Sequence, residues 1–108
     1  MRYSVLLSND ANQDLRKLYG YIAKYDSPDN ANKVIDQIEH IFNELAEYPN
    51  RGACPKELLA LGIHEYREVF FKAYRIIYRV NKDSVYVLLI ADGRRDMQTL
   101  LQQRLLQP

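Results

Sequence analysis

One cysteine in 108 residues, Cys54, leaves no partner for an internal disulfide and fits a reducing compartment. No apolar run approaches the roughly 20 residues that a membrane-crossing helix requires. The apolar part of the first ten residues is too short for a secretory leader. These absences predict a cytoplasmic protein with no membrane contact. Histidine and cysteine never cluster at metal-ligand spacing, and no metal or organic cofactor is expected. No Ser/His/Asp set, phosphate-binding glycine loop or paired-carboxylate pattern occurs. Little in the chain therefore reads as chemistry, except in its last third.

What is present is ordinary in bulk and uneven in detail. With 47% hydrophobic and 27% charged residues, the composition is that of a globular chain. Its length fits one domain, 1–108, with a modest core. The net charge of +1 hides a split. Residues 1–65 hold seven Lys/Arg against ten Asp/Glu, whereas residues 66–108 hold eight against four. A basic C-terminal third suggests an interaction face, though one far weaker than the many phosphate contacts of a typical DNA- or ribosome-binding domain.

The chain reads in order as strand, two helices, three strands and a helix. Tyr3 to Leu7 is short, apolar and strand-like. Ser8, Asn9 and Asp10 are N-cap residues. Ala11, Leu15, Leu18, Ile22 and Tyr25 then mark one helix face. Ser27-Pro28-Asp29 starts a second helix, with Ala31, Val34, Ile38, Ile41 and Leu45 as its stripe. The tight Asp26–Ser27 connection makes the pair an antiparallel hairpin. Residues 49–65, with two prolines and two glycines, predict a loop partly tucked in by Leu58, Leu59 and Leu61. Tyr66–Phe71, Tyr74–Val80 and Val85–Ala91 predict a strand meander, and Asp96 caps a last helix with Met97, Leu100, Leu101 and Leu105 on one face. The expected fold is α+β: an N-terminal strand and an antiparallel helical hairpin packed on an antiparallel sheet, with a three-strand C-terminal meander and a short C-terminal helix. The first strand either joins that sheet or stays an isolated edge. The sheet face away from the hairpin is expected to be only partly covered.

Period-two alternation puts Arg75, Ile77 and Arg79 on one strand face and Tyr74, Ile76, Tyr78 and Val80 on the other. Burying two arginines beneath a helix is costly, so Arg75 and Arg79 are expected to point outward, with Arg67 on the same side. Arg94 and Arg95 follow the last strand. Forked guanidinium donors suit phosphate or carboxylate. The same pattern also fits solvated charges on an open sheet face. His64 beside Glu65 is a candidate acid or base. His40 reads as a solvent-facing helix residue and Cys54 as a loop thiol. Tyr66, Tyr74 and Tyr86 read as core residues rather than general acids.

The strands Y-R-E-V-F-F, A-Y-R-I-I-Y-R-V and V-Y-V-L-L-I, with R-R-D-M-Q-T-L-L-Q-Q-R-L after them, resemble the RelE/ParE superfamily of type II toxin–antitoxin toxins. Arg94 to Leu105 is the more ParE-like part. The resemblance covers nearly the whole chain and implies one toxin domain. It also implies a cognate antitoxin that wraps the toxin, with operator DNA bound only through that antitoxin. ParE-like toxins inhibit DNA gyrase, trapping cleaved DNA, and serve plasmid stabilization through growth arrest. RelE-like toxins are ribosome-dependent mRNA endonucleases.

The resemblance aligns Arg75 with a strand arginine of the endonucleases, Arg95 with a basic residue after the last strand, and Arg67 with a further basic position. Val69 stands where a second strand lysine is expected, and Leu101 where a catalytic tyrosine is. The leading expectation is thus a gyrase inhibitor rather than an enzyme. Arg67, Arg75, Arg79, Arg94, Arg95, Met97, Leu100, Leu101 and Leu105 are then expected on the toxin surface or against the antitoxin. The alternatives are a nuclease using Arg75, Arg95, Arg67 and His64 or Glu68, and an antitoxin-binding family member without toxicity.

Overall fold

The computed structural model describes residues 2–106. Strand β1 (Ser4–Leu7) leads into α1 (Asn9–Tyr25) and α2 (Pro28–Glu47), which form the helical hairpin. A short helix α3 (Lys56–Leu59) follows, then β2 (Tyr66–Phe71), β3 (Tyr74–Asn81) and β4 (Ser84–Asp92). Helix α4 (Met97–Leu101) continues into a wider π-helical turn at Gln102–Leu106. The helix starts follow from their caps. Ser8 Oγ accepts the Ala11 N–H at 3.0 Å, and Ser27 Oγ accepts the Asn30 N–H at 3.1 Å ahead of Pro28 in the first turn. Asp96 caps α4 through the Thr99 N–H.

The sheet order is β1-β4-β3-β2. The meander is antiparallel, as expected, but β1 joins β4 in parallel, so the sheet as a whole is mixed. The chain from β1 to β4 runs through the hairpin, α3, β2 and β3, a connection long enough for the crossover that a parallel pair requires. Ala11, Leu18, Ile38 and Leu45 from the hairpin pack against Val69, Ile76, Tyr78, Val85, Val87 and Ile90 of the sheet.

The opposite face departs from expectation: it is covered by a second core. Leu58, Tyr66, Ile77, Leu89, Ala91, Met97 and Leu101 bury one another there. A bulge makes this possible. Ile77 pairs with Leu89 and Tyr78 with Val87, which leaves Leu88 as an extra residue on β4. Past that point the alternation shifts by one, so Leu89 and Ala91 join the second core while Ile90 returns to the hairpin side. The loop at 49–65 is likewise more ordered than expected. It contains α3, and of its three leucines only Leu58 is buried, whereas Leu59 and Leu61 are exposed.

β1 ends at Leu7, so β4 loses its neighbour beyond the bulge. The Asp14 carboxylate on α1 substitutes for a strand there. It accepts the Ile90 N–H at 3.0 Å and binds the Arg104 guanidinium, which also donates to the Leu88 carbonyl at 3.2 Å. The C-terminal turn is thereby tied to the bulge. Asp14→Ala leaves a partly buried amide and guanidinium without their acceptor. We expect a loss of about 1–3 kcal/mol in urea unfolding and faster hydrogen exchange at the Ile90 amide. Unchanged exchange there would contradict this role.

Candidate functional site

The arginines of the last third do not form one surface. Pairing with Tyr78 puts Arg67 on the hairpin side of the sheet, opposite Arg75, and not beside it. Its guanidinium donates to the carbonyls of Gly52 at 2.6 Å and Asn50 at 3.1 Å, fastening the segment after α2. Tyr78, fully buried, holds the same segment: its hydroxyl donates to the Pro49 carbonyl at 2.7 Å and accepts the Gly52 N–H at 3.0 Å. Burial pushes the Tyr78 phenol pKa up. Gly52 admits no side chain, because a Cβ there would lie 2.5 Å from the Glu68 carbonyl oxygen.

Arg75 does not point outward into solvent as expected. It is 7% exposed. Two carboxylates make this burial tolerable. Its two terminal nitrogens donate to the two oxygens of Glu57, each at 2.7 Å, and Nε donates to Glu68 at 2.7 Å. Glu68 comes from β2, diagonal to Arg75, while Glu57 comes from α3. The triad therefore fastens α3 to the sheet and carries a formal charge of −1. Gly93 lies against the arginine stem, where a Cβ would stand 3.1 Å from Arg75 Cδ. The hydrogen bonds to Glu57 raise the Arg75 pKa above its usual value, and the same bonds lower that of Glu57.

That shift sets a pH dependence. Because the folded-state pKa of Glu57 is depressed, its stabilisation is complete above the ordinary value of 4.5 and is lost as pH falls through the folded value. Glu57→Gln should therefore lower stability by about 2 kcal/mol at neutral pH. The gap from the native chain in urea titrations should close as the pH drops below that ordinary value. A gap that stays constant with pH contradicts the ion pair.

Arg75 and Glu68 form part of the wall of an open groove of about 460 Å³ that is also lined by Cys54, Lys56, Phe70 and Lys72. Phe70 is exposed, and the two lysines sit on the rim. The remaining candidates lie elsewhere or are buried. Arg79 is exposed at the far end of β3. Arg94 is exposed and clamps Asp92, holding that carboxyl down at about 2. Arg95 is exposed, with no hydrogen bond or ion pair from its side chain among the described residues. His64 is exposed, and among the described residues its side chain likewise has no partner. Met97 and Leu101 are not surface anchors: both are buried in the second core, with Leu100 and Leu105 packed partly against it.

Glu57 is the residue that reading the sequence missed. Its signal was present, since an acid in a Pro-led helical start is the kind of group a buried strand arginine needs.

The family described as the ParE toxin of type II toxin–antitoxin systems, parDE, matches residues 5–97. Toxin ParE3 of Caulobacter vibrioides is 25% identical over 97 residues, spanning 90% of this chain and 93% of that protein. In fold, the chain is similar to the chromosomal ParDE toxin–antitoxin system from P. aeruginosa. There the TM-score is 0.69 and the identity 19%, over 84% of this chain and 96% of that one. It is also similar to the toxin–antitoxin complex RelBE2 from Mycobacterium tuberculosis. There the TM-score is 0.58 and the identity 23%, over 85% of this chain and 92% of that one. With the family's pattern running from β1 through β4, the chain belongs to the ParE toxins of type II toxin–antitoxin systems.

Proposed function

We propose that this toxin inhibits DNA gyrase by protein–protein contact, trapping cleaved DNA, and that a cognate antitoxin holds it inactive. The observation that carries the reading is the engagement of Arg75. Every nitrogen of the guanidinium that a nuclease would aim at a phosphate already faces a carboxylate oxygen. A phosphate would have to displace two anions, and it would meet negative charge in doing so. Arg67, the next guanidinium, is on the other face and occupied by backbone carbonyls. Of the candidate bases, Glu68 is spent on Arg75, and the His64 side chain has no partner among the described residues. The mRNA endonuclease alternative, with the ribosome as target, loses its constellation. Gyrase inhibition by contact needs none.

The antitoxin contact moves accordingly. With Met97 and Leu101 buried, the exposed Phe70 and the rim lysines Lys56 and Lys72 are what an amphipathic antitoxin segment meets. Such a segment is disordered when free and orders on binding, its apolar residues against Phe70 and its acids against the lysines. Operator DNA is reached through the antitoxin alone, and the toxin acts in the cytoplasm, where free toxin arrests growth.

The test is a supercoiling and cleavage assay with purified gyrase. Linear DNA should accumulate with the toxin and disappear when antitoxin is added. Undisturbed supercoiling, alongside codon-dependent cleavage of ribosome-bound message, would overturn the reading.

A further inference from the structure

One end of the molecule carries charge and aromatic surface of which the roles above use only Lys72. Two adjoining grooves, of about 330 and 380 Å³, share Tyr74 as a wall, where the second half of α1 meets the connections after β2 and β4. Lys17 and Arg95 line one groove, and Lys33 and Lys72 the other. On α1, Tyr21 and Tyr25 stand one turn apart with ring centroids 4.8 Å from each other, and they are 62% and 67% exposed. The Lys24 ammonium lies 5.2 Å from the Tyr25 ring. Of the nearby carboxylates, Asp92 is paired with Arg94 and Asp14 with Arg104, while Asp26 accepts from the neutral Asn30 amide and keeps its charge. Among the described residues, Lys17, Lys24, Lys72 and Arg95 make no ion pair.

Large rings left open beside unneutralised cations fit one ligand chemistry well. Phosphates are drawn to the cations, and flat bases stack on the rings without regard to sequence. An acidic peptide would use the cations but would give the two tyrosine faces nothing to do. We infer that this end of the toxin binds a single strand of nucleic acid, with phosphates at Lys17, Lys24 and Arg95 and bases on Tyr21 and Tyr25. The inference does not depend on gyrase being the target.

Anisotropy of a labelled oligothymidylate of about a dozen nucleotides, titrated with the whole chain, tests it. Saturable binding that weakens steeply with salt is expected. Tyr21→Ala with Tyr25→Ala should weaken it about tenfold or more. Lys24→Glu with Arg95→Glu should flatten the log–log salt slope by about 1.4, the share of two single-strand phosphate contacts. Tyr48→Ala and Arg79→Glu, exposed at other places, should leave binding unchanged. All six positions are exposed, and circular dichroism of each variant checks that it is folded. Absence of binding, or binding indifferent to both pairs, overturns the inference. So does competition by polyglutamate as effective as competition by the unlabelled oligonucleotide, which would assign the surface to an acidic protein segment.

Discussion

Arg75→Leu should destabilise the chain by about 3–5 kcal/mol in urea unfolding at neutral pH. The substitution leaves Glu57 and Glu68 facing one another near the second core with no cation between them, and their side chains are only 13% and 9% exposed. Two like charges in so little water repel and lose solvation together. Three hydrogen bonds of 2.7 Å vanish with the guanidinium. Helix α3 loses its fastening to β2 and β3, and Leu58 with it. Replacing the whole triad behaves differently. Arg75→Met with Glu57→Leu and Glu68→Leu removes the charges together, and exchanges of this kind are neutral or stabilising in other buried clusters. The single variant should therefore be much less stable than the triple. Equal losses in both would mean that the carboxylates do not oppose Arg75.

Leu101→Ala should cost about 2–5 kcal/mol. Leu101 is 1% exposed, projecting from α4 between α3 and the β4 strand past its bulge. Truncation leaves a cavity that the short α4 relaxes into only partly, because Asp96 and the Asp14–Arg104 tie hold its two ends. Leu106, exposed at the end of the same segment, provides the control: its change to alanine should fall within about 0.5 kcal/mol. If Leu101 were an antitoxin anchor on the surface, its truncation would weaken the complex and leave the free toxin as stable as before.

Element types and order were legible in the sequence because each has a local cause. Ser8 and Ser27 cap helices wherever they stand before a periodic stripe, and Tyr74–Val80 alternates cleanly enough to place Ile76 and Tyr78 against the hairpin. Which groups cover the other face was not local. Leu58 and Leu101 approach Ile77 from positions far apart in the chain. The run Leu88-Leu89-Ile90-Ala91 carried a hint, since consecutive apolar residues in a strand indicate two buried faces and the bulge that reconciles them. The arginine constellation failed for a related reason. Cost alone argued Arg75 outward, yet a cost offset by two acids is no longer prohibitive, and Glu57 reaches Arg75 only through tertiary structure. Arg67 was put on the wrong side because Tyr78, its partner across the ladder, faces the hairpin.

On the proposed reading, Arg75 serves to neutralise Glu57 and Glu68 and performs no chemistry, so that toxicity comes from contact. The gyrase cleavage assay with the triple variant Arg75→Met, Glu57→Leu, Glu68→Leu tests this most directly. The account predicts a folded protein that traps linear DNA as the native chain does. A folded triple variant that no longer traps it, beside an active native chain, would contradict the account.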